Sequence, residues 1–172
     1  MDKINSEPED LEVKKLIECL CCDDGMERKK AREELVAKGK NIVDFLMELL
    51  NNPKHIYRWE ALKTMEEIGD PISIPMFIKA LEDDESDVRW IAAEGLIKLG
   101  MKSIKPLLKT LIEKSGSIFV LAGIHHVFYD LKKIEELPAG FPIDKLLSAL
   151  KDPECSENIR PMAYELLNNF ES

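Results

Sequence analysis

No apolar run in this chain approaches the ~18 residues that mark a membrane span, and none of its 172 residues is expected to lie in a bilayer. Positive charge is in deficit: 24 Lys and Arg stand against 33 Asp and Glu, giving a net charge of −9 and a sequence pI near 5.0. A nucleic-acid backbone or an anionic membrane surface demands a basic face, so neither is expected as the main partner. Met1 to Asp10 is polar and acidic, the opposite of a secretory leader. Cysteine is limited to four residues, three of them in the string Cys19, Cys21 and Cys22. Without a leader, reduced thiols in a cytoplasm are the expected state. The C-x-C-C spacing does not match a closed zinc site, and Cys155 is distant in sequence. Cys19 falls in the core slot that Leu49 and Ala80 fill in later copies of a repeat described below.

Catalytic signatures are missing as well. The chain has no G-x-S-x-G elbow, no phosphate-binding loop and no H-E-x-x-H pair. His55 stands alone in a turn. His125 and His126 are neighbours, so on a helix their side chains diverge by ~100°, and only Tyr129 and Asp130 stand at helical spacing from them. No metal and no other cofactor is expected, and the chain reads as a non-enzyme.

What is present is periodicity. Ser86 to Gly100, SDVRWIAAEGLIKLG, is a near-copy of His55 to Gly69, HIYRWEALKTMEEIG. Arg89 falls on Arg58, Trp90 on Trp59, Ala92 on Ala61, Leu96 on Met65 and Gly100 on Gly69, all at a shift of 31 residues. Arg28, Ala31, Leu35 and Gly39 continue the template toward the N-terminus; Arg160, Ala163, Glu165 and Leu167 continue it toward the C-terminus. A blurred copy, Ser117 to Leu131, puts Val120 in the Arg slot and Gly123 in the Ala slot. A fixed period in this range marks stacked helical hairpins, in which one amphipathic pair cannot bury its own apolar stripe but neighbours can.

The expected organisation is a flexible tail over 1–6 followed by one solenoid over 7–172, built of about five hairpins, each an A helix and a B helix. Ser6 and Glu9 have capping-box spacing, Ser117 is an expected N-cap, and Gly39 and Gly69 are expected left-handed C-caps. Asp70-Pro71 should open the third A segment, and Pro75 should kink or restart it. The last pair is expected at 143–150 as the A helix and about 159–170 as the B helix, with Pro161 in its first turn.

The string Asp83 to Glu94, followed by Gly100 and Pro106, resembles HEAT-like repeats of the short type found in the phycobilin-lyase-like group. The resemblance covers nearly the whole chain after the tail and implies an all-α superhelix. It also implies polar ladders between repeats, made by an Asp six residues before the repeat Arg and by the Arg itself. Asp83 and Arg89 match both positions, whereas Asn52 and Cys22 replace the Asp before Arg58 and Arg28, and Val120 replaces the Arg of the fourth copy. A ladder broken at both ends is therefore expected.

Two tryptophans follow the repeat Arg directly and lie off the Val88, Ala92, Leu96 stripe, so partial exposure is expected. Five residues beyond the Arg slot runs the row Glu33, Lys63, Glu94, His125, Glu165, expected to face the concave surface of the B helices. A mixed, acid-rich row suits a basic or mixed peptide surface. The resulting expectation is a monomeric, non-catalytic scaffold or adaptor that binds another protein or peptide through Arg58, Trp59, Lys63, Arg89, Trp90, Glu94 and His125. The apolar stretch Ile118 to Val127 is a candidate for self-association, unless the long 132–142 connection folds over it. The resemblance also offers lyase-like tetrapyrrole handling and a HEAT-like DNA glycosylase. The net charge opposes the glycosylase. Iron chemistry of the deoxyhypusine hydroxylase kind uses His-Glu pairs, and the chain has no His-Glu dipeptide.

Overall fold

The computed structural model describes residues 6–151 and 156–171, with side chains from Asp10 to Lys151 and from Asn158 to Asn169. Residues 1–5, the side chains of the Ser6–Glu9 capping box and Cys155 lie outside the described residues. The described backbone is helical and without strands, an all-α fold of the solenoid type with five helical pairs. The chain divides into two compact units, Met1–Ser73 and Ile74–Ser172.

The first unit holds α1 (Ser6–Leu20), α2 (Gly25–Lys38), α3 (Val43–Leu49, preceded by a 3-10 turn over Gly39–Ile42) and α4 (His55–Ile68). Asp24 caps α2 by accepting from the backbone N–H of Met26 at 2.7 Å and of Glu27 at 3.3 Å. Gly69 closes α4 in the left-handed region, φ 68° and ψ 27°. Gly39 also has positive φ but with ψ −153°, so it leads directly into the 3-10 turn instead of forming the expected left-handed cap. α1 packs on α2 and α3, and α4 packs on α2 and α3. The two hairpins thus stack A on A and B on B. Leu20, Leu35, Leu46, Leu62 and Met65 are fully buried, each contributing about 1.5–3 kcal/mol through removal from water. Cys19 departs from expectation: it is exposed, because the neighbouring Leu20 fills the core position.

The second unit holds α5 (Ile74–Ala80), α6 (Ser86–Lys98), α7 (Met101–Glu113), α8 (Ile118–Lys133), α9 (Ile143–Lys151) and α10 (Ser156–Glu171). Pro71–Ser73 makes a 3-10 turn and Pro75 sits at the start of α5, so the segment does restart there. Pro106, by contrast, lies inside α7, whose Ile104, Leu107, Leu108 and Leu111 form a buried stripe at helical spacing. Ser117 caps α8 through the N–H of Val120. Small residues set the close approaches. A Cβ on Gly95 would stand 2.4 Å from the ring of the buried Phe77, and one on Gly123 would stand 2.8 Å from Leu81. The blurred copy carries Gly in the Ala slot because Leu81 occupies that space.

α5 packs on α6 and α7, and α6 packs on α8, as stacked hairpins should. The last pair then departs from the expected order. α9 packs on α8, and α10 packs on α7. The helix expected in the A layer extends the B layer, and the helix expected in the B layer covers the A layer. The long connection after α8 makes this exchange possible; within it Phe141 stacks on Phe128 at 5.8 Å. Two further readings change with it. Glu165 leaves the B-helix row, and Pro161 lies in the second turn of α10, which begins at Ser156.

No helix among the described residues is long and apolar enough to cross a membrane.

Candidate functional site

The repeat arginines are occupied within their own hairpins. Arg28 donates Nη1 to the carbonyls of Cys22 and Asp23 at 3.0 and 2.9 Å. Arg58 does the same to Asn52 and Pro53 at 2.7 and 3.3 Å, and Arg89 to Asp83 and Asp84 at 2.6 and 2.9 Å. The acceptor is the backbone, so the side chain six residues upstream need not be Asp. Alongside links between repeats such as Arg28 to Glu60, the repeat Arg makes a turn clamp that is intact at Cys22 and Asn52. The side chains in that upstream slot serve the turn instead: Asp83 Oδ1 accepts from Glu85 N and Asn52 Oδ1 from Lys54 N, both at 3.0 Å.

In the first unit a buried carboxylate joins two helices. Glu60, 3% exposed, accepts from Arg28 Nε at 3.0 Å and from Arg32 Nη1 at 2.5 Å. Arg32 Nε also reaches Glu67 Oε1 at 3.0 Å, and its guanidinium lies 6.0 Å from the centre of the half-buried Trp59 ring. Lys63 donates to Glu66 Oε2 at 2.7 Å on its own helix. Arg58, Trp59 and Lys63 therefore sit in a knit polar surface. Burial and the adjacent Cys22 push the Cys21 thiol above its ordinary range, which favours the neutral, less reactive form.

In the second unit Trp90 is 57% exposed. Its ring stands 4.7 Å from that of His126 on the neighbouring helix. Glu94, one turn along α6 from Trp90, approaches His126 Nε2 with Oε1 at 3.3 Å, and Asp130 Oδ2 lies 3.9 Å from the same nitrogen. The Arg89 guanidinium covers the Phe119 ring at 4.3 Å. The row predicted to run through His125 runs through His126. His125 turns away, stacks on Tyr129 at 6.1 Å and has a buried Nε2 with no hydrogen-bond partner. Burial first, then Lys151 and His126, hold its imidazole below its ordinary range.

Glu60, Arg32, His126 and Asp130 were not singled out as a site from sequence. A signal existed in the spacing: Arg28–Glu60 and Glu94–His126, each between helices of adjacent repeats, pair at 32 residues, one more than the repeat. Equivalent residues on two parallel helices point the same way. The residue that faces a neighbour lies on the opposite flank, and one extra residue supplies a ~100° turn toward it.

The stretch Ile118–Val127 is largely internal. Val120, Leu121, Ile124 and Val127 are buried, leaving Ile118 and Phe119, at 71% and 42%, as its exposed large side chains.

Comparison with known proteins gives two findings. A family model for HEAT repeats matches residues 13–97 and 43–125. A chain in the structure of the complex of CpcE and CpcF of phycocyanin lyase from Nostoc sp. PCC7120 superposes with a TM-score of 0.59 at 20% identity, over 90% of this chain and 98% of that one. No curated protein matches.

Proposed function

Because the chain belongs to the HEAT-repeat family, we propose that it is a non-catalytic scaffold that binds a protein or peptide partner along its B-helix surface. The observation that carries this is Trp90: a large indole more than half exposed, yet held against His126. Exposed, pre-positioned tryptophans are enriched at binding hot spots. Holding the ring in place also reduces the ordering cost on association. Glu94 and Asp130 beside it supply negative charge, and the whole chain is acidic, which favours a basic or mixed partner segment. Arg89 belongs to the same proposed surface of the second unit, while Arg58, Trp59 and Lys63 form a proposed contact surface on the first unit; His125, with its Nε2 buried, lies outside both. The working form is a monomer in the cytoplasm, without nucleic acid or membrane as partner. Affinity capture with the wild-type chain and with Trp90→Ala tests the assignment. Loss of a retained protein with an unchanged helical signal is expected; equal recovery would remove Trp90 from the site.

A second reading, a lyase-associated role in handling a tetrapyrrole, draws on the fold likeness to the phycocyanin lyase chain. Visible absorbance that co-elutes with the protein after incubation with bilin pigment would favour it, and a colourless protein fraction would leave the scaffold reading.

A further inference from the structure

Two copies of the repeat bring three metal-ligating side chains to one point between α6 and α8. Glu94 comes from α6; His126 and Asp130 stand one turn apart on α8. Their ligand atoms all lie within 4.8 Å of one another, and all three residues are half-buried. The imidazole nitrogen faces two carboxylate oxygens, at 3.3 and 3.9 Å. A single N–H satisfies only one of them, whereas a cation at the centre satisfies both.

The dimensions agree. Metal–ligand bonds of ~2.0–2.2 Å place the ligand atoms of a tetrahedral zinc site ~3.3–3.6 Å apart. One observed edge is already that short, and rotation of a carboxylate closes the others. The supports are in place too. Trp90 fixes one face of the imidazole, at 4.7 Å with the ring planes 32° apart. Lys133 Nζ holds Asp130 Oδ1 at 3.2 Å, so the other oxygen, Oδ2, is the one that faces His126. One nitrogen and two carboxylate oxygens suit zinc or a neighbouring first-row divalent ion, while calcium and magnesium prefer oxygen alone.

We propose that Glu94, His126 and Asp130 form a site for a divalent transition metal such as zinc, with a fourth position left to water or an incoming ligand. The site overlaps the proposed partner surface at Trp90, Glu94 and Asp130, but its ligands are all in this chain, so it is tested without a partner. Zinc chloride titrated into the full chain tests it, with Cys19, Cys21, Cys22 and Cys155 changed to serine so that thiolates cannot take the metal. Trp59→Phe in the same chain makes Trp90 the only indole. One equivalent of zinc should bind by calorimetry and change Trp90 emission saturably. Glu94→Gln and His126→Asn should each weaken binding by about tenfold or more, with far-UV circular dichroism unchanged. No saturable response up to millimolar zinc, or equal affinity in the Glu94→Gln chain, would overturn the proposal and leave a His–carboxylate contact only. If His126→Asn does not fold, Glu94→Gln decides.

Discussion

A single guanidinium closes the turn inside three of the five hairpins, and it does so on backbone carbonyls. That is why Asp, Asn and Cys alternate six residues upstream without loss of the clamp. Glu60 shows the opposite dependence on side-chain identity. It is the shared acceptor for Arg28 and Arg32, and removing its charge leaves both guanidiniums partly buried against a neutral group. Glu60→Gln should cost about 3 kcal/mol, read from the urea midpoint of the whole chain. Surface pairs are worth less. Lys114 against Glu82 holds that carboxyl below its ordinary range. A depressed folded-state value means the stabilisation is present above the unfolded value near 4.3 and is lost as pH falls through the folded one. Lys114→Met should raise the Glu82 midpoint in a carboxyl NMR titration and cost about 0.5 kcal/mol at neutral pH, a difference that vanishes in strong acid.

At the scale of the helix, local signals were largely readable. Ser117 and Gly69 sit at caps where their chemistry places them, Gly39 does not take its expected left-handed form, and the period of 31 residues marked the hairpins. Close helix contacts were less readable, because a glycine does not announce which side chain occupies the space it leaves. Gly95 admits the Phe77 ring onto α6. Gly95→Ala should therefore destabilise by about 1–3 kcal/mol through overpacking, despite a helix-propensity gain of about 1 kcal/mol. Combining it with Phe77→Leu should cost less than the sum of the two single changes, as chemical denaturation of the four proteins would show. The candidate site was half legible for a related reason. Trp90 and Glu94 follow from the repeat itself, but aligning equivalent positions selects His125, while contact between facing flanks selects His126.

Across the molecule, repetition identified the architecture and the last connection altered it. The exchange of layers by α9 and α10 depends on the path of the 134–142 segment, which lies between repeats and has no counterpart in the earlier copies. It takes Glu165 out of the row and puts α9 beside α8, so the proposed binding surface of the second unit is centred on α6 and α8. The test closest to that claim is site-specific photocrosslinking in native extract. A benzoylphenylalanine would replace Trp90 in one protein and Tyr164 in another; Tyr164 is similarly exposed, at 52%, but lies on α10. Adducts from position 90 and none from position 164 are the expected result. Adducts from position 164 with position 90 silent would contradict it.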